Sequence, residues 1–133
     1  MARTFNGTSA LINLGNPSAL QITGALTLCC WVNLSATTGP RGFICKHANA
    51  NIAYGLYMID ASTIIFEVSG NNADGPAAGN ESLGTLLTGV WYHLAGVYVP
   101  STSLTLYVNG VLGGTPNTTG IPASIFNSSF SVT

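Results

Sequence analysis

Carboxylates are scarce in this sequence, and their spacing does not predict a hydrolase. The 133 residues include four of them, Asp60, Glu67, Asp74 and Glu81. Glycoside hydrolysis uses two carboxyl groups roughly 5–9 Å apart, one as the acid and one as the base or nucleophile. Glu67 stands alone on its predicted strand and Asp60 lies near a predicted turn, so the sequence indicates no such pair. We therefore predict that the chain is not an enzyme and has no catalytic residues.

The two histidines also lack the partners that catalysis requires. A catalytic histidine needs a nucleophile or an acid within hydrogen-bond reach, and no G-x-S-x-G motif is present. His93 lies in the middle of a largely apolar run, so we predict that it belongs to the scaffold. His47 follows Lys46 near the predicted end of a strand, and we expect it to be solvated.

Calcium binding is the metal chemistry that the sequence leaves open. The ion takes six to eight oxygen ligands from carboxylates, amides and backbone carbonyls. Four candidate side chains occur in one Gly/Asn-rich segment: Asn72, Asp74, Asn80 and Glu81. The same residue types also favour turns without any ligand. Since two carboxylates predict weak affinity, a plain loop is the favoured interpretation and calcium is the alternative.

Three cysteines, Cys29, Cys30 and Cys45, favour free thiols over a disulfide framework or a zinc site. Neighbouring strand residues point to opposite faces, so at most one of the adjacent pair can bond to Cys45. No histidine stands at zinc-ligand spacing from them. We interpret all three as small apolar side chains that are buried in the core.

Aromatic rings are the remaining candidates for ligand contact, because a sugar platform requires exposed ones. The sequence offers Trp31, Trp91, Tyr54, Tyr57, Tyr92, Tyr98 and Tyr107. Most of them fall in the middle of predicted strands, which favours packing in the core. Tyr54 and Tyr57 lie on opposite faces of one strand and cannot form a single flat surface. The sequence therefore leaves the ligand-binding residues unassigned.

Charge is sparse, which excludes several classes of partner. Charged residues make up 5% of the chain, the net charge is −1, and the strong cations are Arg3, Arg41 and Lys46. Nucleic acids and anionic membrane surfaces are both bound through clustered Lys and Arg, so neither partner is expected. No run approaches the ~18 apolar residues of a membrane-spanning helix, so no membrane insertion is expected. Solubility through neutral polar groups favours an extracellular or virion surface and leaves little charge repulsion against self-association.

Short apolar runs bounded by Gly, Asn, Pro and Ser predict strands and no long helix. We place the strands near residues 3–6, 10–14, 26–34, 42–47, 53–59, 63–68, 83–87, 91–99, 103–109 and 129–133. The 91–99 strand is apolar on both faces, so we predict that it is central and covered on both sides. Asn109-Gly110 predicts a tight turn, since both residues tolerate positive φ. Segments 70–82 and 113–124 are predicted to be long loops.

Four stretches of the chain carry motifs that can be compared with known domains. They are FNGTSALINLG from Phe5, LTLCCWVNL from Leu26, FICKHA from Phe43 and GVWYHLAGVYVPSTSLTLYVNGVL from Gly89. In this order and spacing they resemble the laminin-G-like, or concanavalin A-like, jelly-roll domain, in its pentraxin-related branch. The last stretch is similar to the family's W-x-H-(L/V)-A strand and its following Y-(V/I)-(N/D)-G. Asn6 departs from the family pattern, since many relatives have aspartate there.

The resemblance implies an all-β fold, an antiparallel two-sheet jelly-roll sandwich with residues 1–133 as a single domain. Relatives continue beyond the point matched by Ser131 to Thr133, so we expect the sandwich to lack its last strand or strands. Such an open edge invites a strand-completing partner or a homo-oligomer. The resemblance also implies a non-catalytic binding or adhesion module that recognises glycan or protein through its end loops. The alternative is a structural component of an assembly, such as a phage head-decoration or tail protein.

Overall fold

The protein is an antiparallel β-sandwich in a computed structural model that describes residues 2–48, 51–71, 77–80 and 85–133. Its strands are β1 (Leu26–Asn33), β2 (Arg41–Ala48), β3 (Asn51–Asp60), β4 (Thr63–Val68), β5 (Ala77–Asn80), β6 (Trp91–Val99), β7 (Ser103–Val108) and β8 (Val111–Leu112). The β6 sheet has the order β1-β6-β7-β8, and the β3 sheet has the order β2-β3-β4-β5. The predicted two-sheet antiparallel sandwich is confirmed. No helix among the described residues is long and apolar enough to cross a membrane.

The core lies between the two sheets, because alternate residues of each strand point inward. The β6 sheet contributes Leu26, Leu28, Leu94, Tyr98, Leu104, Leu106 and Val108, and the β3 sheet contributes Ala53, Tyr54, Leu56, Met58, Ile64, Phe66 and Val68. The sheets approach closely where the ring of Phe66 lies against Gly96 of β6. Because Gly96 has no side chain, it leaves the space that the Phe66 ring occupies.

The predicted Asn109-Gly110 turn joins β7 to β8, with φ of 52° and 78° at the two residues. The backbone N–H of Asn109 donates to the carbonyl of His93 at 2.8 Å. The Asn109 Oδ1 accepts the backbone N–H of His93, also at 2.8 Å. The Asn109 side chain thus extends the pairing of β6 with β7 by one residue beyond Leu94 and Val108. The backbone of His93 therefore has the structural role that was predicted for this residue.

The predicted strands at 3–6 and 10–14 are wrong. The Asn6 Oδ1 accepts the backbone N–H groups of Thr8, Ser9 and Ala10 at 3.0, 3.0 and 2.8 Å. Local bonds of this kind satisfy the donors that a strand would pair. Gly7 adds a positive φ of 72°, so the stretch after Phe5 forms a turn.

Three further predictions differ from the structure in part. Residues 85–87 are not in a strand, and residues 83–84 lie outside the described residues. In the predicted strand 129–133, Val132 forms isolated bridges to Gly15 and Lys46. The predicted loop 70–82 contains β5, whose small residues carry no period-2 signal and which is ordered by pairing with β4. The predicted loop 113–124 is confirmed, with one bridge from Asn117 to β7.

Lys46 on β2 fixes the segment that precedes β1. Its side chain is 1% exposed, and its Nζ donates to the Asn16 Oδ1 and, at 3.2 Å, to the Leu20 carbonyl. The Tyr54 hydroxyl donates to the same carbonyl at 3.1 Å. Burial lowers the pKa of the Lys46 ammonium, whose described partners are neutral oxygens.

Replacing Lys46 with alanine is expected to lower the free energy of unfolding by about 2–3 kcal/mol, since two part-buried acceptors lose a donor. Urea unfolding at neutral pH measures the change. Arg41→Ala is the matched control, because the Arg41 guanidinium makes one long contact of 3.5 Å to the Pro40 carbonyl. We expect that control to stay within about 0.5 kcal/mol of the parent. Equal losses in the two variants would show that the buried ammonium is not an anchor.

Candidate functional site

The outer surface of β1 and β6 carries exposed aromatic side chains. Trp31 is 65% exposed and Trp91 is 49% exposed. In the antiparallel register Trp31 is opposite His93, and Asn33 is opposite Trp91, so all four side chains share one face of the sheet. Tyr107 joins them, because it is opposite Ala95 on the same face. We call the surface formed by Trp31, Asn33, Trp91, His93 and Tyr107 the aromatic face.

The aromatic face has a fixed geometry, because its residues are held by strand pairing. The ring centroids of Trp31 and His93 lie 5.2 Å apart at an interplanar angle of 56°. This distance and tilt are typical of favourable aromatic contacts. The His93 backbone is held on both sides, by β1 and by Asn109.

The prediction that most of the aromatic side chains pack in the core is wrong for both tryptophans. On β1 the inward positions belong to Leu28, Cys30 and Val32, and the period of two then turns Trp31 outward. β6 is central within its sheet, as predicted. Its outer face is nevertheless not covered, since Trp91 and Val99 are both largely exposed.

The core interpretation is confirmed for Tyr54 and Tyr98, which are each 1% exposed. The Tyr98 hydroxyl donates to the Pro122 carbonyl at 2.7 Å, which anchors the 113–124 loop to β6. Burial raises the pKa of both phenols. These two tyrosines therefore belong to the scaffold and not to a ligand surface.

The three cysteines are free, and they differ in exposure. Cys45 is buried and Cys30 is half-buried, as expected of apolar thiols, and burial raises the pKa of each to about 11. For Cys30 the neighbouring Cys29 adds a smaller contribution. The prediction is wrong for Cys29, which is exposed on the same face as Trp31. The Cys29 thiol is therefore a site for chemical labelling beside the aromatic face.

The described carboxylates serve local structure. Glu67 is 6% exposed, and its Oε2 accepts the Tyr57 hydroxyl at 2.7 Å. Asp60 accepts the backbone N–H and the hydroxyl of Ser62, each at 2.9 Å, and these bonds lower its pKa. Over the described ranges, no group of three or more His, Cys, Asp or Glu is placed to hold a metal ion.

The calcium prediction remains a prediction. Asn72, Asp74 and Glu81 lie outside the described residues. Asn80 is in β5, where it is opposite Ile64 of β4. His47, expected to be solvated, is exposed on β2.

A groove of about 1040 Å³ borders the aromatic face. It is lined by parts of residues 2–12, 30–36 and 40–47, together with Trp91 and Thr133. β1 and β2 are the end strands of their sheets, so the groove lies along an open side of the sandwich. We call it the edge groove. No motif indicated it, because it depends on how the segment around Phe5 passes the two strands.

Comparison with known proteins gives a match along nearly the whole chain. Residues 6–132 match the Concanavalin A-like lectin/glucanases superfamily, in its laminin G group. No curated protein matches.

Two solved structures share the fold. The botulinum neurotoxin serotype G binding domain has a TM-score of 0.57 and 13% identity, over 84% of this chain and 28% of that one. A mutant of HCR/D has a TM-score of 0.58 and 18% identity, over 90% of this chain and 30% of that one. The chain thus spans less than a third of either structure, and identities this low support a shared fold alone. By its match over residues 6–132 and its two-sheet sandwich, the chain belongs to the Concanavalin A-like lectin/glucanases superfamily, as a laminin G domain.

Proposed function

We propose that this domain is a non-catalytic binding module and that its aromatic face contacts a neutral carbohydrate. The observation that carries the proposal is Trp31, a large apolar side chain that is 65% exposed on a strand of the sandwich. Contiguous exposed apolar surface on a soluble protein usually marks an interaction site. The sequence resemblance implied that a ligand binds at the end loops. We propose the aromatic face as the binding site in their place.

The chemistry of the aromatic face suits a sugar. The face of an indole ring carries negative charge density, which attracts the weakly positive C–H groups on the apolar side of a pyranose. Asn33, opposite Trp91, offers amide donors and an acceptor for hydroxyl groups. The aromatic face contains no carboxylate, Lys or Arg, so a neutral sugar fits it better than a charged one.

Replacing Trp31 with alanine is expected to weaken glycan binding by at least about tenfold, because the largest stacking surface is lost. A neutral-glycan array identifies the ligand, and calorimetry with that glycan measures the affinity. Leu87→Ala is the control, since Leu87 is 59% exposed but lies outside the aromatic face. A maleimide on Cys29 should block the same ligand, because Cys29 lies two residues, roughly 7 Å, from Trp31 along β1.

Two results would contradict the carbohydrate proposal. One is a parent protein that binds no glycan, and the other is a Trp31→Ala variant with unchanged affinity. EDTA tests calcium in the same assay: loss of binding would direct attention to Asn72, Asp74, Asn80 and Glu81.

The second candidate is a structural component of an assembly, in which the same surface binds protein, including further copies of the chain. Val99 and Leu112, 41% and 47% exposed, extend the apolar surface across the β6 sheet and favour this alternative. With few charges, little repulsion opposes such contacts. Light scattering that gives a fixed oligomer, in a protein that binds no glycan, would favour the assembly over the lectin.

We also infer membership of the pentraxin-related branch and a place on an extracellular or virion surface. The Trp91-x-His93 motif with its Asn109-Gly110 turn supports the branch, and the charge-poor sequence supports the location. Fractionation of the source cells and of any virions they release tests the location.

A further inference from the structure

His93 lies in the middle of the aromatic face and is its one histidine. Its strand, β6, pairs with β1 on one side and with β7 on the other, and its side chain is half-buried. The ring centroid lies 5.2 Å from that of Trp31. Histidine is the side chain that ordinarily changes charge between about pH 5 and pH 8. A proton taken up by His93 therefore places a positive charge at the centre of the face.

The nitrogen atoms of the His93 ring are open to a ligand. Within the described ranges, the hydrogen bonds of His93 are made by its backbone, which is held by β1 and by Asn109. A neutral imidazole offers a ligand one donor and one acceptor, whereas the protonated ring offers two donors. Protonation thus changes this position from a partner for hydroxyl groups into a partner for an anionic oxygen.

The outer surface around His93 holds no group that neutralises such a charge. The titratable side chains that share this surface are Cys29 on β1 and Tyr107 on β7, and thiols and phenols ordinarily carry no charge at neutral or acidic pH. None of the three strands contains Asp or Glu. The face of a tryptophan ring attracts a cation within about 6 Å, so Trp31 stabilises the charge without cancelling it.

The other cations near the aromatic face are in the adjoining edge groove. Arg3, Arg41 and His47 line that groove. Arginine keeps its charge throughout this pH range, so the two arginines cause no change between about pH 5 and pH 8. His47 is the second histidine of the chain, and it is therefore the control for His93.

We propose that His93 determines which glycans the aromatic face selects, and that its protonated form selects sugars with a carboxylate, such as uronic acids. This inference rests on the carbohydrate function proposed above and adds a second ligand class to the same site. The protonated ring donates a charge-assisted hydrogen bond to the carboxylate, which is stronger than a bond between neutral groups. Sugar carboxylates are ionised above about pH 5. The added affinity is therefore present at acidic pH and is lost as pH rises through the range in which histidine titrates.

The test uses the full chain and an array of neutral oligosaccharides, each printed beside its uronic-acid counterpart. Binding is measured at about pH 5.5 and about pH 7.5, on either side of the usual titration of histidine. The ratio of uronic-acid binding to neutral binding is expected to be at least about fivefold higher at the lower pH, because a hydrogen bond to a charged group replaces a neutral one. An NMR titration of the two histidine rings checks that His93 changes charge between these pH values.

Two substitutions of His93 separate its charge from its shape. His93→Gln keeps a neutral polar side chain, and its ratio should no longer change with pH. His93→Lys carries a positive charge at both pH values, so it should prefer the uronic acid at both, which a merely structural role of His93 does not explain. His47→Gln is the matched control and should keep the pH dependence of the parent. Circular dichroism checks that each variant keeps its fold.

Four results would overturn the proposal. A parent protein that binds neutral glycans with the same charge preference at both pH values would remove His93 from selection and leave the carbohydrate function intact. Unchanged pH dependence in His93→Gln would assign it to another group. A His93 ring that keeps one charge state from about pH 5 to pH 8 would remove the basis of the proposal, whatever glycan binds. Absence of all glycan binding at both pH values would overturn the carbohydrate function, and this inference with it.

Discussion

Gly96→Ala is expected to lower the free energy of unfolding by about 3 kcal/mol or more, the upper range for overpacking a core. A Cβ at this position would lie 2.2 Å from Cγ of Phe66 and 2.4 Å from its Cδ2. Phe66 is completely buried on β4, so its ring cannot move aside without displacing other core residues. In the interior of a strand, alanine is intrinsically more stabilising than glycine. A large loss of stability in Gly96→Ala would therefore be a specific sign of the steric clash. Urea unfolding measures the effect.

Gly24→Ala is the control, because no heavy atom lies within 4 Å of its added Cβ. We expect it to stay within about 0.5 kcal/mol of the parent protein. The double variant Gly96→Ala/Phe66→Leu should lose less than the two single losses combined, since the smaller side chain makes room for the methyl group. Additive losses, or a Gly96→Ala protein as stable as the parent, would contradict the close packing of the sheets at this point.

The parts of the fold that could be predicted are those with a clear apolar pattern and strong turn residues. β7 alternates apolar and other residues over six positions, β1 and β6 are largely apolar runs of eight and nine residues, and Asn109-Gly110 marks the turn after β7. β5 could not be found in this way, because its Ala-Ala-Gly-Asn has no alternation and is ordered by β4. The strands predicted around Asn6 were wrong for the opposite reason. The residues there have the pattern of a strand, but the Asn6 side chain accepts three backbone N–H groups that a strand would pair.

The aromatic face contained a signal that sequence interpretation missed. Once Leu26 and Leu28 are taken as core residues, a period of two places Trp31 on the outer face of β1. A position in the middle of a strand favours the core, but the register decides which face of the strand a ring is on. The edge groove had no such signal, since it arises from the path of residues 2–12 past β1 and β2. Sequence alone therefore indicates the sandwich better than the surfaces that bind.

Alkaline pH is expected to destabilise this protein strongly, because two of its thiols keep their protons when folded. Burial raises the pKa of Cys30 and of Cys45 from 9.0 to about 11. Between these values the unfolded chain has lost protons that the folded chain retains, so the free energy of unfolding falls as pH rises. The stabilisation is complete below about pH 9 and is lost through pH 11, at about 2–3 kcal/mol for each thiol.

Other buried groups change the shape of this profile. Tyr54 and Tyr98 also have raised pKa values, so they add to the loss above about pH 10. The lowered pKa of Lys46 acts in the opposite direction, since the unfolded chain then binds the extra proton and stability rises with pH. Two thiols and two phenols oppose one lysine, and the net change is a loss.

Urea unfolding at steps from about pH 8 to pH 11, in a non-thiol reductant, measures the profile. The Cys30→Ala/Cys45→Ala variant will be less stable at neutral pH, because it loses buried volume, so the slope and not the absolute stability is compared. Its stability should no longer fall between about pH 9 and pH 10, because the lowered pKa of Lys46, which remains, acts in the opposite direction. Cys29→Ala is the control, since that thiol is exposed, and it should keep the slope of the parent. A double variant that falls as steeply as the parent would assign the alkaline loss to the tyrosines and would show that the two thiols ionise as readily in the folded protein as in the unfolded chain.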